Sequence, residues 1–503
     1  MSPFDGLMYG FSIALTPDNL LAAVLGAFLG TAVGILPGLS PTVVLAILLV
    51  PTMGMKVETG LIMMGGIYFG TQYGDSLSAI LMGVPSEAPS VVIGIDGYKL
   101  SKKGRAGAAL SIAAVSAFIG ATIGLVGLTL LAGPVSHWAL AFGPPEYFVL
   151  CVVGFLVLSK MSSSSLPKAL VALAIGMSMT TVGIDPFVGA PRFTFGQVEL
   201  LDGIELVPAV MGLVGMAEMI YIAAKARGLP PPVGISIKEL MPSRREWRNA
   251  IPASLRGAVI GFFMGLAPGP TSTLCTFASY RIEQRMAPTE VGEGAVQAVA
   301  GPKSADDASI SGHLIPLLSL GIPFTPVAAI LFAGMMLHGV TPGPNLITER
   351  PEVFWGLVAA MYLGNVALLV LNFPLVGMWV SVLRLPQPVL ASILVVLMLI
   401  GAYSLRNSTV DMVVVVVTGI LGYIMRQLGY ERTLAILGLC LGPLAERSFS
   451  QSLQMSANDP AIFFDRPIPE VLWGLVILVF LGQTLYTRRA RRHGSAAAPA
   501  GLE

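Results

Sequence analysis

The sequence predicts an all-α polytopic membrane protein: two inverted-topology repeats with Pro/Gly-broken helices and re-entrant hairpins, plus additional spanning helices. Three observations carry this. Only 11% of the 503 residues are charged while 54% are hydrophobic, against about 25% charged in soluble domains. That surface charge is too sparse for a water-soluble chain of this length. Second, many apolar runs approach the ~20 residues needed to cross ~30 Å of hydrocarbon. Third, two long apolar zones, 19–94 and 251–340, are cut by Pro and Gly every ten to fifteen residues.

The chain divides accordingly. Residues 1–224 form a first half containing the broken zone 19–94, and 225–250 a basic cytoplasmic linker. Residues 251–487 form a second half containing the broken zone 251–340, and 488–503 a disordered cytoplasmic tail. The breaks are "GILPGLSPTVV", "LMGVPSEAPSVV", "GLAPGPTST" and "SLGIPFTPVAA". Proline removes a backbone donor and clashes with the preceding turn. In lipid, such a break survives only where protein or an aqueous cavity covers it. Between and after these zones, unbroken spans are expected near 106–132, 147–160, 169–183, 206–224, 353–379, 386–403, 409–425, 433–445 and 470–487.

The two broken zones correspond. "GTAVGILPGLSPT" (Gly30–Thr42) and "GFFMGLAPGPTST" (Gly261–Thr273) share G-x-x-x-G-x-x-P-G and a final Thr. About fifty residues later, "ILMGVP" and "LLSLGIP" share a G-[VI]-P ending. Two matches in the same order indicate an internal repeat. Lys and Arg mark cytoplasmic loops. They concentrate at 99–105, 160–168, 225–256 and 488–492, and Arg384 and Arg426 stand singly in short loops. Alternating the spans between these loops puts the equivalent loops of the two zones on opposite faces. The repeats are therefore expected to be inverted, with the N-terminus periplasmic and the C-terminus cytoplasmic. No basic n-region with a cleavage site opens the chain, so the first apolar segment is expected to remain as a span.

Short broken segments at matching places in two halves point to a transporter's binding site. Helix starts offer free N–H groups, and with neighbouring hydroxyls they can cradle an anion. The candidate substrate-binding residues are therefore Pro37, Gly38, Ser40, Thr42, Ser86 and Ser90 in the first half. Those in the second half are Pro268, Gly269, Thr271, Ser272, Thr273 and Thr325. Isolated acids in apolar surroundings need water, a cation or a partner. Asp75, Ser76, Glu87, Ser304, Asp306 and Asp307 are the candidate ion-coupling residues, and a Na⁺ held by them is the candidate metal. If 303–320 is helical, Lys303 and Asp307 can pair at i, i+4, and Asp306, Ser309 and His313 share a face. His313 itself reads as a hydrogen-bonded packing residue. The competing reading of this stretch is a membrane-edge loop whose charges touch solvent.

The glycines at four-residue spacing, including Gly26, Gly30, Gly34, Gly261 and Gly265, are a close-packing signal for helices. Cys151, Cys275 and Cys440 lie far apart in apolar sequence and read as small core residues. No P-loop, His-Glu-x-x-His motif or paired catalytic set is visible, so no enzyme activity and no organic cofactor are expected. No basic block exists to hold nucleic acid.

"GTAVGILPGLSP", "GIYFGTQYGDS", "DGYKLSKKGRAGAAL", "FGPPEYF", "LIPLLSLGIP", "HGVTPGP" and "FPLVGMWV" follow one another over roughly residues 18–470. This run resembles the large membrane subunit of tripartite tricarboxylate transporters, the TctA type. The resemblance implies a subunit of a secondary active importer in the bacterial inner membrane, driven by a Na⁺ or H⁺ gradient. It implies as partners a small membrane subunit of about four helices and a periplasmic solute-binding protein that delivers a tricarboxylate, dicarboxylate or related organic anion. A homo-oligomer is compatible with it. Two places depart from the family pattern: "GVPSE" (Gly83–Glu87) stands for N-T-P-G-E, and "SADDA" (Ser304–Ala308) has two acids where relatives carry paired asparagines. The alternatives are a non-transporting membrane receptor or scaffold, or a passive anion channel.

Overall fold

The computed structural model describes residues 2–162, 164–224, 241–372, 375–383, 387–474 and 476–477. Most of the basic linker and all of the tail 488–503 lie outside these.

Prolines open many of the helices and glycines close several of them. In the first half, α1 is Pro3–Ala14, α2 Pro17–Gly34 and α3 Pro41–Leu48. There follow α4 Val57–Met82, α5 Ala88–Leu100, α6 Ala106–Ala139, α7 Pro144–Met161, α8 Leu166–Thr180 and α9 Leu206–Ala224. In the second half, α10 is Arg244–Gly265, α11 Thr271–Met286, α12 Gln297–Leu320 and α13 Pro326–Leu337. Then come α14 Pro351–Asn372, α15 Val376–Val382, α16 Gln387–Arg406, α17 Thr409–Gln427 and α18 Arg432–Met455. Proline costs nothing in a first turn, where its missing N–H has no intrahelical partner. The α4 and α12 helices both stop on a left-handed glycine, Gly83 (φ 67°) and Gly321 (φ 72°), the conformation that glycine adopts without Cβ strain.

The protein is an all-α polytopic membrane protein. Among the described residues six stretches are long and apolar enough to span, and the shorter apolar helices include the 166–180 and 326–337 segments. A two-stranded hairpin, Gly183–Ile184 paired with Pro191–Arg192, interrupts the connection to α9.

Equivalent glycines hold equivalent helix pairs together. In the first half α2 lies on α4: a Cβ added to Gly26 would stand 2.3 Å from Met63 O, and one on Gly30 2.4 Å from Ile67 O. Gly34 sits likewise on Thr71. In the second half α10 lies on α12: Cβ atoms on Gly257, Gly261 and Gly265 would stand 2.1, 2.0 and 2.6 Å from the carbonyl oxygens of Gly301, Ala305 and Ser309. Each step of four residues on one helix meets a step of four on the other, so the two pairs share one register. In lipid, where burial of apolar surface gives no drive between helices, such backbone approach supplies the packing.

The remaining helices exchange partners between the halves. The first-half helix α6 packs on α12 and α10, and its counterpart α14 packs on α4 and α2. Similarly α5 touches α12 and α11, while α13 touches α4 and α3. Farther out, α7 and α8 pack on α18, and α16 and α17 pack on α9. Gly176 and Gly438 seat α8 on α18; Gly212 and Gly422 seat α17 on α9. The reciprocity at every level is the structural form of the repeat seen in the sequence motifs.

Three expected boundaries shift. Within the expected 353–379 span the described residues form one helix, Pro351–Asn372, and a short helix from Val376. The short 433–445 segment is part of a 24-residue helix that carries Pro443 inside it. The α6 helix continues through Pro134 to Ala139. A periodicity argument ends a helix at proline, whereas packing against neighbours here carries it past. Cys151, Cys275 and Cys440 are all buried and free.

Candidate functional site

The Pro/Gly breaks bring the starts of four helices, α3, α5, α11 and α13, to one cavity of about 420 Å³. Thr42 comes from the first turn of α3, and Glu87, Ala88 and Pro89 from the start of α5. Gly269 to Thr273 lead into α11, and Phe324 to Val327 into α13. Tyr68 and Gln72 of α4 and His313 of α12 line it from the two long central helices. Leu158, Met161 and Ser162 at the end of α7, with Glu431, Thr433, Leu434 and Leu437 at the start of α18, complete the wall.

The local sequence explains how each tip is held. Gly38 adopts φ 87° and lets the chain turn from α2 into α3. Ser40 then caps α3, its hydroxyl accepting from Val43 N–H at 3.4 Å. The second tip tightens at Gly269, with φ 129°; Pro268 stands just before it. Thr325 caps α13, accepting from Ala328 N–H at 3.2 Å. Glu87 is the N-cap residue of α5, the counterpart of Thr325. The free N–H groups of these first turns give each helix start a partial positive charge of about half a unit.

The central helices tie the tips down with unlike side chains at equivalent positions. Asp75 and His313 each stand eight residues before the left-handed glycine that ends their helix. Asp75 is buried, and its Oδ1 accepts from Ser86 N–H at 2.8 Å. The Ser86 hydroxyl in turn accepts from Gly38 N–H at 3.2 Å, so one carboxylate orders both first-half breaks. His313 lies 1% exposed with Nε2 2.6 Å from Thr271 Oγ1. Thr42 donates to Glu87 Oε1 at 3.4 Å, and Ser272 meets Ser309 at 3.0 Å. Ser76 and Ser90 turn their hydroxyls back to Gln72 O and Glu87 O.

Beside the cavity, α12 carries a buried charge cluster. Lys303 Nζ is 2.7 Å from Asp307 Oδ2, 4.0 Å from Asp306 Oδ2 and 3.3 Å from the carbonyl oxygen of Gln72. The i, i+4 pair anticipated from the spacing is thus formed inside the protein rather than at a solvent-facing loop. Asp306 Oδ1 has no hydrogen-bond partner, nor does the hydroxyl of buried Ser304. The cluster connects to the cavity through Gln72, which lines it, and through Ser309, whose hydroxyl donates to Asp306 O at 2.7 Å.

Of the candidate substrate residues, Thr42, Gly269, Thr271, Ser272, Thr273 and Thr325 line the cavity, as does Glu87 from the ion-coupling set. Pro37, Gly38, Ser40, Ser86, Ser90 and Pro268 belong to the breaks behind it. Asp75, Ser76, Ser304, Asp306 and Asp307 sit on α4 and α12 without being among its lining residues. Sequence reasoning missed Tyr68, Gln72, His313, Ser162 and Glu431. Tyr68 and Gln72 were within reach, since "YFGTQYGDS" places them two turns and one turn before Asp75 on the same helix. Nothing in the sequence brings α7 and α18 to the same place.

Residues 20–437 match the family described as the Tripartite tricarboxylate transporter TctA family. The chain is 39% identical over 495 residues, covering 98% of both chains, to an Agrobacterium vitis protein described as an uncharacterized 52.8 kDa protein in the TAR-I ttuC' 3' region. It is 40% identical over 234 residues to a second Agrobacterium vitis protein, described as uncharacterized in the TAR-II ttuC' 3' region. That match covers 46% of this chain and 97% of the relative. No solved structure matches the chain. The family match spans both broken zones and all four helix starts at the cavity: this chain belongs to the tripartite tricarboxylate transporter TctA family.

Proposed function

We propose that this protein is the transporting subunit of a secondary active importer that moves a small organic anion, a carboxylate, across the bacterial inner membrane. The observation that supports it most is the meeting of four helix starts, two from each half, at one hydrated-sized cavity. Such starts favour negative charge, and discontinuous helices at a repeat interface are how carriers hold substrates in the bilayer. A periplasmic binding protein delivers the anion, and a small membrane subunit of about four helices completes the complex. The coupling ion, Na⁺ or H⁺, is held at the acids around the cavity, with Asp306 offering an unpartnered oxygen.

The cavity wall at Ser162 and Glu431 is flanked in sequence by Lys160, Lys168, Arg426 and Arg432. By the positive-inside rule this is the cytoplasmic side, so the conformation described here is read as inward-facing. The test is uptake of labelled carboxylates into proteoliposomes holding all three subunits, under imposed Na⁺ or pH gradients. The expected result is accumulation above the outside concentration under one of the gradients. Equilibration without accumulation makes the protein a passive path, and no uptake at all removes the transport reading.

A further inference from the structure

The acids near the far ends of α10 and α11 are already paired. Glu283 takes Arg256, whose Nε donates to Oε1 at 3.0 Å and Nη2 to Oε2 at 2.7 Å. Glu246 takes Arg105, Glu293 takes Lys99, and Glu290 stands 3.9 Å from Arg245. Among the described residues Arg244, Arg248, Arg281 and Arg285 form no ion pair, and all four are exposed. Arg244 even stands in the first turn of α10, where the helix dipole opposes a cation. Two packed helices thus gather guanidinium groups that no carboxylate of the described protein meets.

These arginines continue apolar stripes. On α11 the exposed Leu274, Phe277, Arg281 and Arg285 stand at i, i+3, i+7 and i+11, one face of a helix. Leu274 is 41% and Phe277 44% exposed. On α10 the exposed Phe263, Val259, Leu255 and Ile251 run in steps of four and lead to Arg248 and Arg244. Arg281 lies ten residues beyond Thr271, about 15 Å along the axis, which is half of the ~30 Å of hydrocarbon. Placing the cavity near the midplane, as the carrier reading does, puts Arg281 at headgroup depth. Arg285 is then about 6 Å farther out, and Leu274 and Phe277 lie at the depth of acyl chains.

We infer that Arg281 and Arg285 hold the phosphate of an anionic phospholipid of the cytoplasmic leaflet, whose acyl chains run along Leu274 and Phe277. Arg248 and Arg244 add positive charge from α10. A guanidinium fork matches phosphate oxygens, and basic groups on spanning helices at the cytoplasmic side recognise anionic headgroups. A soluble phosphate would use the arginines and leave the apolar stripes without a role, whereas a lipid uses both. The helix that brings Thr271, Ser272 and Thr273 to the cavity is thereby held by lipid at its other end.

The detergent-purified full-length protein is titrated with dioleoylphosphatidylglycerol, dioleoylphosphatidylcholine and inorganic phosphate, and apparent affinities are read from the thermal midpoint. The two lipids share their chains and differ in headgroup charge. In the wild type the phosphatidylglycerol binds about tenfold or more tightly than the phosphatidylcholine, and inorganic phosphate has no comparable effect. Arg281→Gln and Arg285→Gln each weaken phosphatidylglycerol about fivefold, the weight of one basic residue near an anionic surface, and leave phosphatidylcholine unchanged. The double substitution by Lys keeps most of the preference, because the charge remains. Arg447→Gln removes an exposed arginine from the opposite face and changes neither affinity. Equal affinities for the two lipids, or a preference that survives the double substitution by Gln, overturn the inference. Inorganic phosphate matching phosphatidylglycerol assigns a soluble anion and overturns it too. Equal losses for both lipids in the Gln variants mean that the arginines support the fold rather than a headgroup, with the same result. Each outcome is read without transport, so the carrier reading stands or falls separately.

Discussion

The two halves build the same frame and then finish it differently at the ends of their outer helices. Where α7 ends and α18 begins, the chain leaves Met161, Ser162 and Glu431 on the wall of the cavity. The corresponding place, where α16 ends and α9 begins, is bridged by ion pairs. Arg406, the last residue of α16, lies 3.5 Å from Glu205 and 2.7 Å from Asp411. Glu431 and Glu205 are both N-cap residues of their helices. The difference is that a hydroxyl, Ser162, faces the first and a guanidinium the second. On the carrier reading proposed above, the shared interior leaves a few side chains at helix ends to distinguish the two faces. That is the economy expected of a repeat that exchanges two conformations around one site.

The shared interior is also where the largest effects are expected. Gly30→Leu and Gly261→Leu would drive a side chain into the backbone of the facing helix, where even a Cβ stands 2.4 and 2.0 Å from a carbonyl oxygen. Each should cost about 3 kcal/mol or more, the upper range for overpacking, seen as a marked fall in the thermal midpoint of the detergent-purified protein. If one substitution is severe and the other mild, the two helix pairs are not equivalent and the comparison fails.

A somewhat smaller effect distinguishes the halves. Lys303 has Gly65 as its counterpart in the shared register, so the charge cluster exists on α12 alone. Lys303→Met leaves Asp306 and Asp307 buried without their cation, and breaking such a pair costs about 3–5 kcal/mol less any relief from proton uptake. The double substitution Lys303→Met with Asp307→Asn should recover much of the loss. A double-mutant cycle in thermal stability measures this directly, and additivity would mean that the 2.7 Å contact contributes nothing.

Much of this was legible in the sequence because the relevant forces are local. Pro and Gly impose helix ends wherever they occur, so the break motifs located four helix starts and the candidates Thr42, Thr271 and Thr325 at the cavity. The four-residue glycine spacing announced close packing, and the i, i+4 spacing announced the Lys303–Asp307 pair. Long-range placement was not legible. His313 looks like any buried histidine until Thr271, forty-two residues away, is seen to hold one of its nitrogens. Glu431 and Ser162 come together because α7 and α8 both pack on α18, where Gly176 meets Ala435 across the fold. Nor does the sequence around Asp75 announce that it accepts from Ser86 N–H and so helps order both first-half breaks.

The mildest substitution bears most directly on the comparison. Arg406 complements the C-terminal end of α16, and Asp411 the N-terminal turn of α17, so each also suits its helix dipole. The Arg406 side chain is 26% exposed and Glu205 32%, and pairs of that exposure contribute at most about 1 kcal/mol. Glu205→Gln, which removes this pair and leaves Arg406 on the fully buried Asp411, should therefore leave the thermal midpoint nearly unchanged. Its effect should instead appear in access: a cysteine introduced at Leu206 ought to react faster with a membrane-impermeant thiol reagent once the bridge is gone. If the two helix ends serve one site by exchange of conformations, as the proposed carrier requires, the same substitution should slow the labelling of a cysteine placed at Thr433. Faster labelling at 206 with no change at 433 would mean that the ion pairs only cover a surface. Reciprocal changes would mean that the Arg406–Glu205 pair holds the balance between two faces of a single site.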